Sequence, residues 1–200
     1  MKVFYSLPSP FAAKVRMAAR HCDLSVEAIA VDTSKEPSEL LSANPIGKIP
    51  TLLLDDGTSV YDSRVICEYL DRISGNLLIP QTSEAWLQAR RVEALADAVC
   101  DAGILCAYEV RYRPEEKRHQ PWVDKQWRRV LRTLDSLESE IDALPSDPQI
   151  GHFALAATLG WLEVRFPGEW SVQTPKLKAW LEQFFSAHPH FAELRPMPLP

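Results

Sequence analysis

The run Asn44-Pro45-Ile46-Gly47-Lys48-Ile49-Pro50-Thr51-Leu52-Leu53-Leu54-Asp55-Asp56-Gly57-Thr58-Ser59-Val60-Tyr61-Asp62-Ser63 holds a helix stop, two strands, a turn and a helix start. Asn44 precedes proline, which pushes it out of the helical region and ends the short helix expected over Pro37–Ala43. Thr51–Leu54 and Ser59–Tyr61 are apolar runs joined by Asp55-Asp56-Gly57, the signature of a β-hairpin. Asp62-Ser63 then opens a helix, with Val65, Ile66, Tyr69, Leu70 and Ile73 at helical spacing. Working outward, Lys2–Tyr5 is a short apolar run that ends before Pro8 and Pro10 and predicts a buried strand. Ser9-Pro10 predicts a helix start, with serine as N-cap and proline at the first helical position. Phe11, Val15 and Ala18/Ala19 form its stripe, and it ends near Cys22-Asp23. Val26–Val31 predicts a second strand. The order β-α-β-α-β-β-α over residues 1–76 predicts a four-stranded mixed sheet packed by helices.

Downstream the pattern changes. Asn76–Thr82 reads as a linker, and residues 82–200 carry helical periodicity over Ser83–Tyr112, Pro121–Ala143, Phe153–Arg165 and Pro175–Ala187. Pro145, Pro148, Pro167 and Pro189 punctuate them. Arg195–Pro200 contains three prolines and predicts an extended strap. The expected architecture is thus an α/β domain over 1–76 and an all-α domain over 82–200.

The 200 residues are 46% hydrophobic and 24% charged, which is globular composition and excludes a disordered or collagen-like chain. Net charge is −5, so no basic excess recruits nucleic acid or an anionic membrane. Cys22, Cys67, Cys100 and Cys106 make no CxxC pair and no metal-ligand spacing with histidine, so they read as reduced, buried cytosolic thiols and no metal is expected. MKVFYSLPSPFAAKVR lacks the apolar core of a signal peptide, and no run approaches the ~18 apolar residues of a membrane span. A soluble cytoplasmic protein is the expectation.

Three features carry chemistry, each with a plain structural alternative. Pro50 before a buried strand frees the preceding peptide from strand pairing and makes a cis bond plausible, which exposes the backbone of Ile49 to a ligand that binds like an extra strand; otherwise it is a turn. Asp62-Ser63 either caps a helix or receives an amino-acid zwitterion. In the second case the helix N-terminus and the serine hydroxyl take the carboxylate, and Asp62 takes the ammonium. Ser9 either caps its helix or directs its hydroxyl at a ligand thiolate.

In this order on this scaffold, the chain resembles a glutathione transferase. The resemblance spans its whole length and rests on Ser9-Pro10-Phe11 with Lys14-Val15-Arg16, on Asn44–Leu52, and on Asp62-Ser63-Arg64-Val65-Ile66-Cys67-Glu68-Tyr69-Leu70. It implies a thioredoxin-like N-terminal domain and a helical C-terminal one. It also implies a cis Pro50, Ile49 pairing with the cysteinyl part of glutathione, Asp62 and Ser63 holding its γ-glutamyl end, and Lys48 and Lys35 reaching the glycyl carboxylate. Ser-Pro-Phe is similar to the serine-type members, bacterial ones included, and gives Ser9 the thiolate-stabilising role; Tyr5, at the strand end, is the rival. No cysteine lies near residues 9–12, against the thiol chemistry of cysteine-type members. Glutathione enters as co-substrate and attacks a small electrophile, the chemistry of detoxification. The same thiolate also serves peroxidase, isomerase or dehalogenase chemistry, and a non-catalytic glutathione-binding module would keep the same site.

The electrophile pocket is expected between the domains, walled by Leu7, Phe11, Leu105, Tyr108, Arg111, Tyr112 and Trp161. None of the histidines is placed as a general base. Arg64 in the helix after Asp62, together with the resemblance, implies a homodimer whose two-fold interface joins one subunit's N-terminal domain to the other's helical domain. Asp97 and Asp101, four apart on one helix face, are expected to meet basic groups there. The family usually opens its central helix with a Ser/Thr-x-x-Asp box, where this chain has Gln149-Ile150-Gly151-His152; a lost box costs ~1 kcal/mol of helix stability.

Overall fold

The structure is a computed structural model that describes residues 1–199. The N-terminal half runs β1 (Lys2–Tyr5), α1 (Pro10–His21), β2 (Glu27–Ala30), a 3-10 turn at Thr33–Lys35, α2 (Ser38–Ala43), β3 (Thr51–Leu53), β4 (Ser59–Val60) and α3 (Ser63–Ile73). The sheet order is β2-β1-β3-β4. β1 lies parallel to β2 and antiparallel to β3, and β3 and β4 form the hairpin, with Leu52 opposite Val60. The βαβ crossover through α1 makes the first pair parallel, and the tight Asp-Gly turn makes the last antiparallel. Gly57 has φ 87°, a left-handed conformation that glycine adopts without a Cβ penalty. Val3 and Leu52 belong to the main core with α1 and α3, while Phe4 faces the other way onto Leu40 and Ala43 of α2. That alternation assigns one helix layer to each face of the sheet.

The second half holds α4 (Ser83–Tyr112), α5 (Gln120–Glu140), α6 (Ile150–Arg165), α7 (Pro175–Ala187) and α8 (Pro189–Ala192), with 3-10 turns at Glu115–Lys117 and Ile141–Ala143. α6 is buried along nearly its whole length and packs on α4, α1 and α7. It is the axle on which both halves turn their apolar faces inward. Gly151 makes the α4 crossing possible, since a Cβ there would lie 2.9 Å from the carbonyl oxygen of Ala89. The four cysteines are buried and free. The tail from Arg195 to Leu199 is irregular. Pro196 rests on Gly160, and the Met197 N–H donates to the carbonyl of Leu7 at 3.1 Å. The expected strap therefore ties the C-terminus to the loop between β1 and α1; Pro200 lies outside the described residues.

Two expectations change. The start of α6 is not uncapped: the imidazole Nδ1 of His152 accepts the backbone N–H of Gln149 at 3.2 Å, so histidine does what the absent aspartate would have done. Helix α5 ends at Glu140, and the last turn of the expected Pro121–Ala143 helix tightens into 3-10 geometry.

Candidate functional site

The loop before β3 is built from within. Buried Asn44 donates through Nδ2 to the Lys48 carbonyl and to Thr51 Oγ1, both at 3.0 Å. Its Oδ1 accepts the N–H of Ile46 at 3.0 Å, and Thr51 Oγ1 donates to the Lys48 carbonyl at 2.8 Å. Gly47, at φ 66°, turns the chain between them. These bonds satisfy the loop from its inner side and leave the Ile49 backbone N–H and carbonyl without a partner among the described residues. The Ile49–Pro50 bond is cis, as the resemblance implies. An unpaired peptide at the end of a strand is the edge a peptide ligand pairs with.

Asp62 sits at the N-cap of α3, where its Oδ1 accepts the Arg64 N–H at 3.0 Å. Ser63 is buried at the first helical position, and its hydroxyl has no partner among the described residues. A helix N-terminus with a free hydroxyl favours a carboxylate. Asp62 beside it favours an ammonium. Lys48, Ile49, Pro50, Asp62 and Ser63 share one hollow of about 240 Å³ with Phe11, Asn44, Ile46, Tyr61, Arg64, Asp97 and Asp101.

Ser9 caps α1: its Oγ accepts the Ala12 N–H at 3.2 Å. Accepting leaves the hydroxyl proton free to donate. Ser9 lies two residues before Phe11, which lines the hollow, but is not itself in that lining. Lys35 is not brought to the site. It stands on the exposed 3-10 turn, 3.5 Å from Asp32. Tyr5 lies under the Arg16 guanidinium, 4.3 Å from its ring centre, and this stacking occupies one ring face.

Asn44 and Thr51, which shape the loop, were not singled out from the sequence. Both lie inside the Asn44–Leu52 motif, where Asn44 was read as the residue before Pro45 and Thr51 as the start of a strand. The charges beneath α3 were missed more completely. Asp97 does not wait for a partner across an interface: Lys14 Nζ reaches both of its oxygens at 2.9 Å, and Arg64 Nε reaches Oδ2 at 2.9 Å. Asp101 stays at the mouth of the hollow, where burial, and then the charge of Asp97, raise its carboxyl pKa. Of the expected electrophile walls, Tyr108 and Tyr112 stand out of α4, edge to face at 5.1 Å, with Arg111 against Tyr112. Trp161 does not join them. It is buried in the helical core, against Gly103 and Phe166.

A larger hollow of about 750 Å³ opens between α6, α7 and the tail. It offers neither a helix N-terminus nor an unpaired strand edge, so the smaller one is the better receptor. No group of His, Cys, Asp and Glu among the described residues is arranged to hold a metal ion.

The N-terminal domain model of glutathione S-transferase matches residues 8–73, and the C-terminal domain model matches residues 120–183. The chain belongs to the glutathione S-transferase family. An uncharacterised GST-like protein of Escherichia coli K12, YibF, is 30% identical to it over 98% of both chains. A glutathione S-transferase of Methylobacterium radiotolerans, solved in complex with glutathione sulfonate, superposes with TM-score 0.91 at 32% identity, covering 100% of this chain and 96% of its own. A family member from Pseudomonas fluorescens Pf-5 with bound glutathione gives 0.89 at 35% identity, over 98% of this chain and 99% of its own. The small mixed sheet with its helical domain is the fold of these glutathione S-transferase neighbours. No helix of the described residues is long and apolar enough to cross a membrane.

Proposed function

We propose that this protein is a glutathione transferase that joins the thiolate of glutathione to a small electrophile. The observation that carries the reading is the unpaired Ile49 peptide set in one hollow with Asp62 and Ser63 at the start of α3. A tripeptide with a zwitterionic γ-glutamyl end matches both features: its cysteinyl backbone pairs with Ile49, its carboxylate meets Ser63 and its ammonium meets Asp62. Lys48 takes the glycyl carboxylate. The glutathione bound in the Pseudomonas fluorescens relative supports the choice of ligand.

The thiolate is the nucleophile, so the site must lower the thiol pKa. Moving it from about 8.5–9 to about 6.5–7 takes ~3 kcal/mol at 1.36 per pH unit. The Ser9 hydroxyl supplies about 1.5–3 as a charge-assisted donor. The start of α1 adds about 0.3–1. Ser9 can donate to sulfur while accepting from Ala12, and the accepted bond polarises its hydroxyl toward donation. The electrophile approaches past Phe11 and the exposed Tyr108 and Tyr112. The protein acts as a cytoplasmic homodimer in detoxification, and its free, buried thiols fit a reducing compartment.

The test is calorimetry with glutathione, then turnover of a panel of aryl halides, enones and peroxides followed by loss of free thiol. Binding with stoichiometric thiol consumption supports conjugation. Disulfide formation from peroxide marks a peroxidase, turnover that returns free glutathione marks an isomerase, and binding without any turnover marks a carrier. Sedimentation at micromolar concentration yielding the monomer mass of 22.6 kDa would reject the homodimer.

A further inference from the structure

Lys14 is a deeply buried charge that the proposed chemistry does not use. Its side chain is 1% exposed, and it is a lysine on the inward face of α1 among alanines, valine and methionine. Burying an ammonium this deeply is unfavourable unless its partners are well placed. They are: Nζ lies 2.9 Å from both oxygens of Asp97 and 3.1 Å from Glu93 Oε1, and both acids are themselves buried on α4. The carboxylates, Asp97 first, hold the lysine above its ordinary pKa against its burial. The network extends on both sides. Asp97 also holds Arg64 of α3, while Glu93 and Glu68 flank Arg90, at 2.9 and 2.6 Å. The six groups joined by these contacts, three cations and three anions, sum to zero, and Asp101 lies outside them in the same hollow.

Its position gives the balance a consequence. Arg64 directly follows Ser63, and Asp97 and Arg64 both line the hollow. One desolvated carboxylate, Asp97, therefore faces the hollow in which the start of α3 is to receive another from the ligand, and Glu93 stands behind it on the same lysine. Within a low-dielectric interior, like charges repel more strongly than they do in water. Without Lys14, the sum over the network is one negative charge, and the N-terminus of α3 loses its preference for an anion.

We propose that Lys14 is a positioning residue for the ligand's α-carboxylate: its buried ammonium neutralises the Glu93–Asp97 pair so that the start of α3 accepts an anionic group, and Asp97 stays free to hold Arg64. The assignment rests on the glutathione reading above. It concerns the charge of Lys14, not its bulk.

The experiment measures the Kd of glutathione, and of its analogue lacking the γ-glutamyl α-carboxylate, for wild type, Lys14→Met and Lys14→Met/Glu93→Gln. Methionine keeps the length and apolar stem and removes the charge. The double variant removes one charge of each sign and restores neutrality. Wild type binds glutathione if the underlying reading is right; if it does not, that reading fails and takes this one with it. Given binding, Lys14→Met is expected to weaken glutathione about tenfold or more, and the double variant to return within about threefold of wild type. The analogue should bind Lys14→Met and wild type alike, which a general loosening of the fold would not produce. Wild-type affinity in Lys14→Met overturns the proposal. So does a folded double variant that binds glutathione as weakly as the single one, or equal loss for both ligands. If the single variant does not fold, the double variant decides alone: wild-type-like affinity supports the assignment and a tenfold loss overturns it.

Discussion

His152 stands over Gln149 with its Nδ1 accepting the Gln149 N–H, while its Nε2 lies 2.9 Å from the carbonyl of Pro145. An accepting Nδ1 leaves the proton on Nε2, which donates to Pro145. The ring is therefore neutral, and the Gln149 contact needs it so. A second proton would set an N–H against the Gln149 N–H at the head of the central helix.

This makes stability fall in acid. Burial is the first cause that holds His152 below its ordinary pKa of 6.5; the Pro145 contact opposes it, and His188 and His21 add to it. A neutral-favouring fold has its full contribution above the unfolded value near 6.5 and loses it as pH falls toward the lower folded value. One such group gives a slope of at most about 1.36 kcal/mol per pH unit. His21 and His188 are shifted the same way, also chiefly by burial, so the wild-type slope is shared. His152→Gln removes the titration. Urea unfolding at pH 7.5 and 5.5 should show wild type losing about 1 kcal/mol more than the variant; equal losses would clear His152 of the role.

Asp62 has two duties that one substitution separates. Its Oδ1 caps the Arg64 N–H, and asparagine caps a helix as well as aspartate does. Asp62→Asn should keep the thermal midpoint while glutathione affinity falls by roughly 2–4 kcal/mol, through loss of the ammonium's counter-charge. Asp62→Ala should lose about 1 kcal/mol of stability besides. Unchanged affinity in Asp62→Asn, read by calorimetry, would leave Asp62 as a cap only.

What could be read in the sequence was local. Ser9-Pro10, Asn44-Pro45 and Asp55-Asp56-Gly57 each restrict their own backbone, so α1, the end of α2 and the hairpin stood where their residues put them. The helix start at Asp62-Ser63 was legible for the same reason, whereas the cis bond at Pro50 and the ligand roles of all three came only through the family resemblance. What could not be read was contact at long range. Lys14 and Asp97 are 83 positions apart, and on α1 a lysine between Ala13 and Val15 looks like any solvated charge. Asp97 and Asp101 share a helix face, yet only the approach of Lys14 on α1 and Arg64 on α3 decides that Asp97 is consumed within the chain. Trp161 has the size of a pocket wall, but the absent side chain of Gly103 lets it close into the core. His152 fails the expected cap pattern by residue type and meets it by having an acceptor nitrogen in the same place.

The two glycines of α6 should respond in opposite directions to alanine. At Gly151 a Cβ meets the Ala89 carbonyl at 2.9 Å and Val92 at 3.1 Å. A backbone atom in the facing helix cannot rotate away, so α4 and α6 must separate. Overpacking of this kind costs about 1–3 kcal/mol. At Gly160 the nearest atom is Pro196 Cδ at 3.1 Å, in the irregular tail, which can shift by a few tenths of an ångström. There the helix-propensity gain of about 1 kcal/mol wins. Denaturant midpoints should fall for Gly151→Ala and hold or rise for Gly160→Ala. A fall in both of similar size would show that the tail is as rigid as the helix crossing.

Ser9 is the last assignment to be tested, because two roles leave different traces in one variant. As the cap of α1 its Oγ accepts the Ala12 N–H, so Ser9→Ala should cost about 1 kcal/mol of stability whatever the chemistry. As a donor to sulfur it should also carry about 1.5–3 kcal/mol of thiolate stabilisation. The bound-thiol pKa should then rise by roughly 1–2 units, and turnover at neutral pH should fall ~10–100-fold. Tyr5→Phe is the control. Its ring is held by Arg16 at the end of β1, and phenylalanine keeps that stacking, so neither the fold nor the thiol should respond. The measurement is thiolate absorbance of the protein–glutathione complex titrated with pH, beside a thermal midpoint for each variant. A lowered midpoint with an unmoved titration in Ser9→Ala would leave serine as a cap. A moved titration in Tyr5→Phe would pass the thiolate to tyrosine.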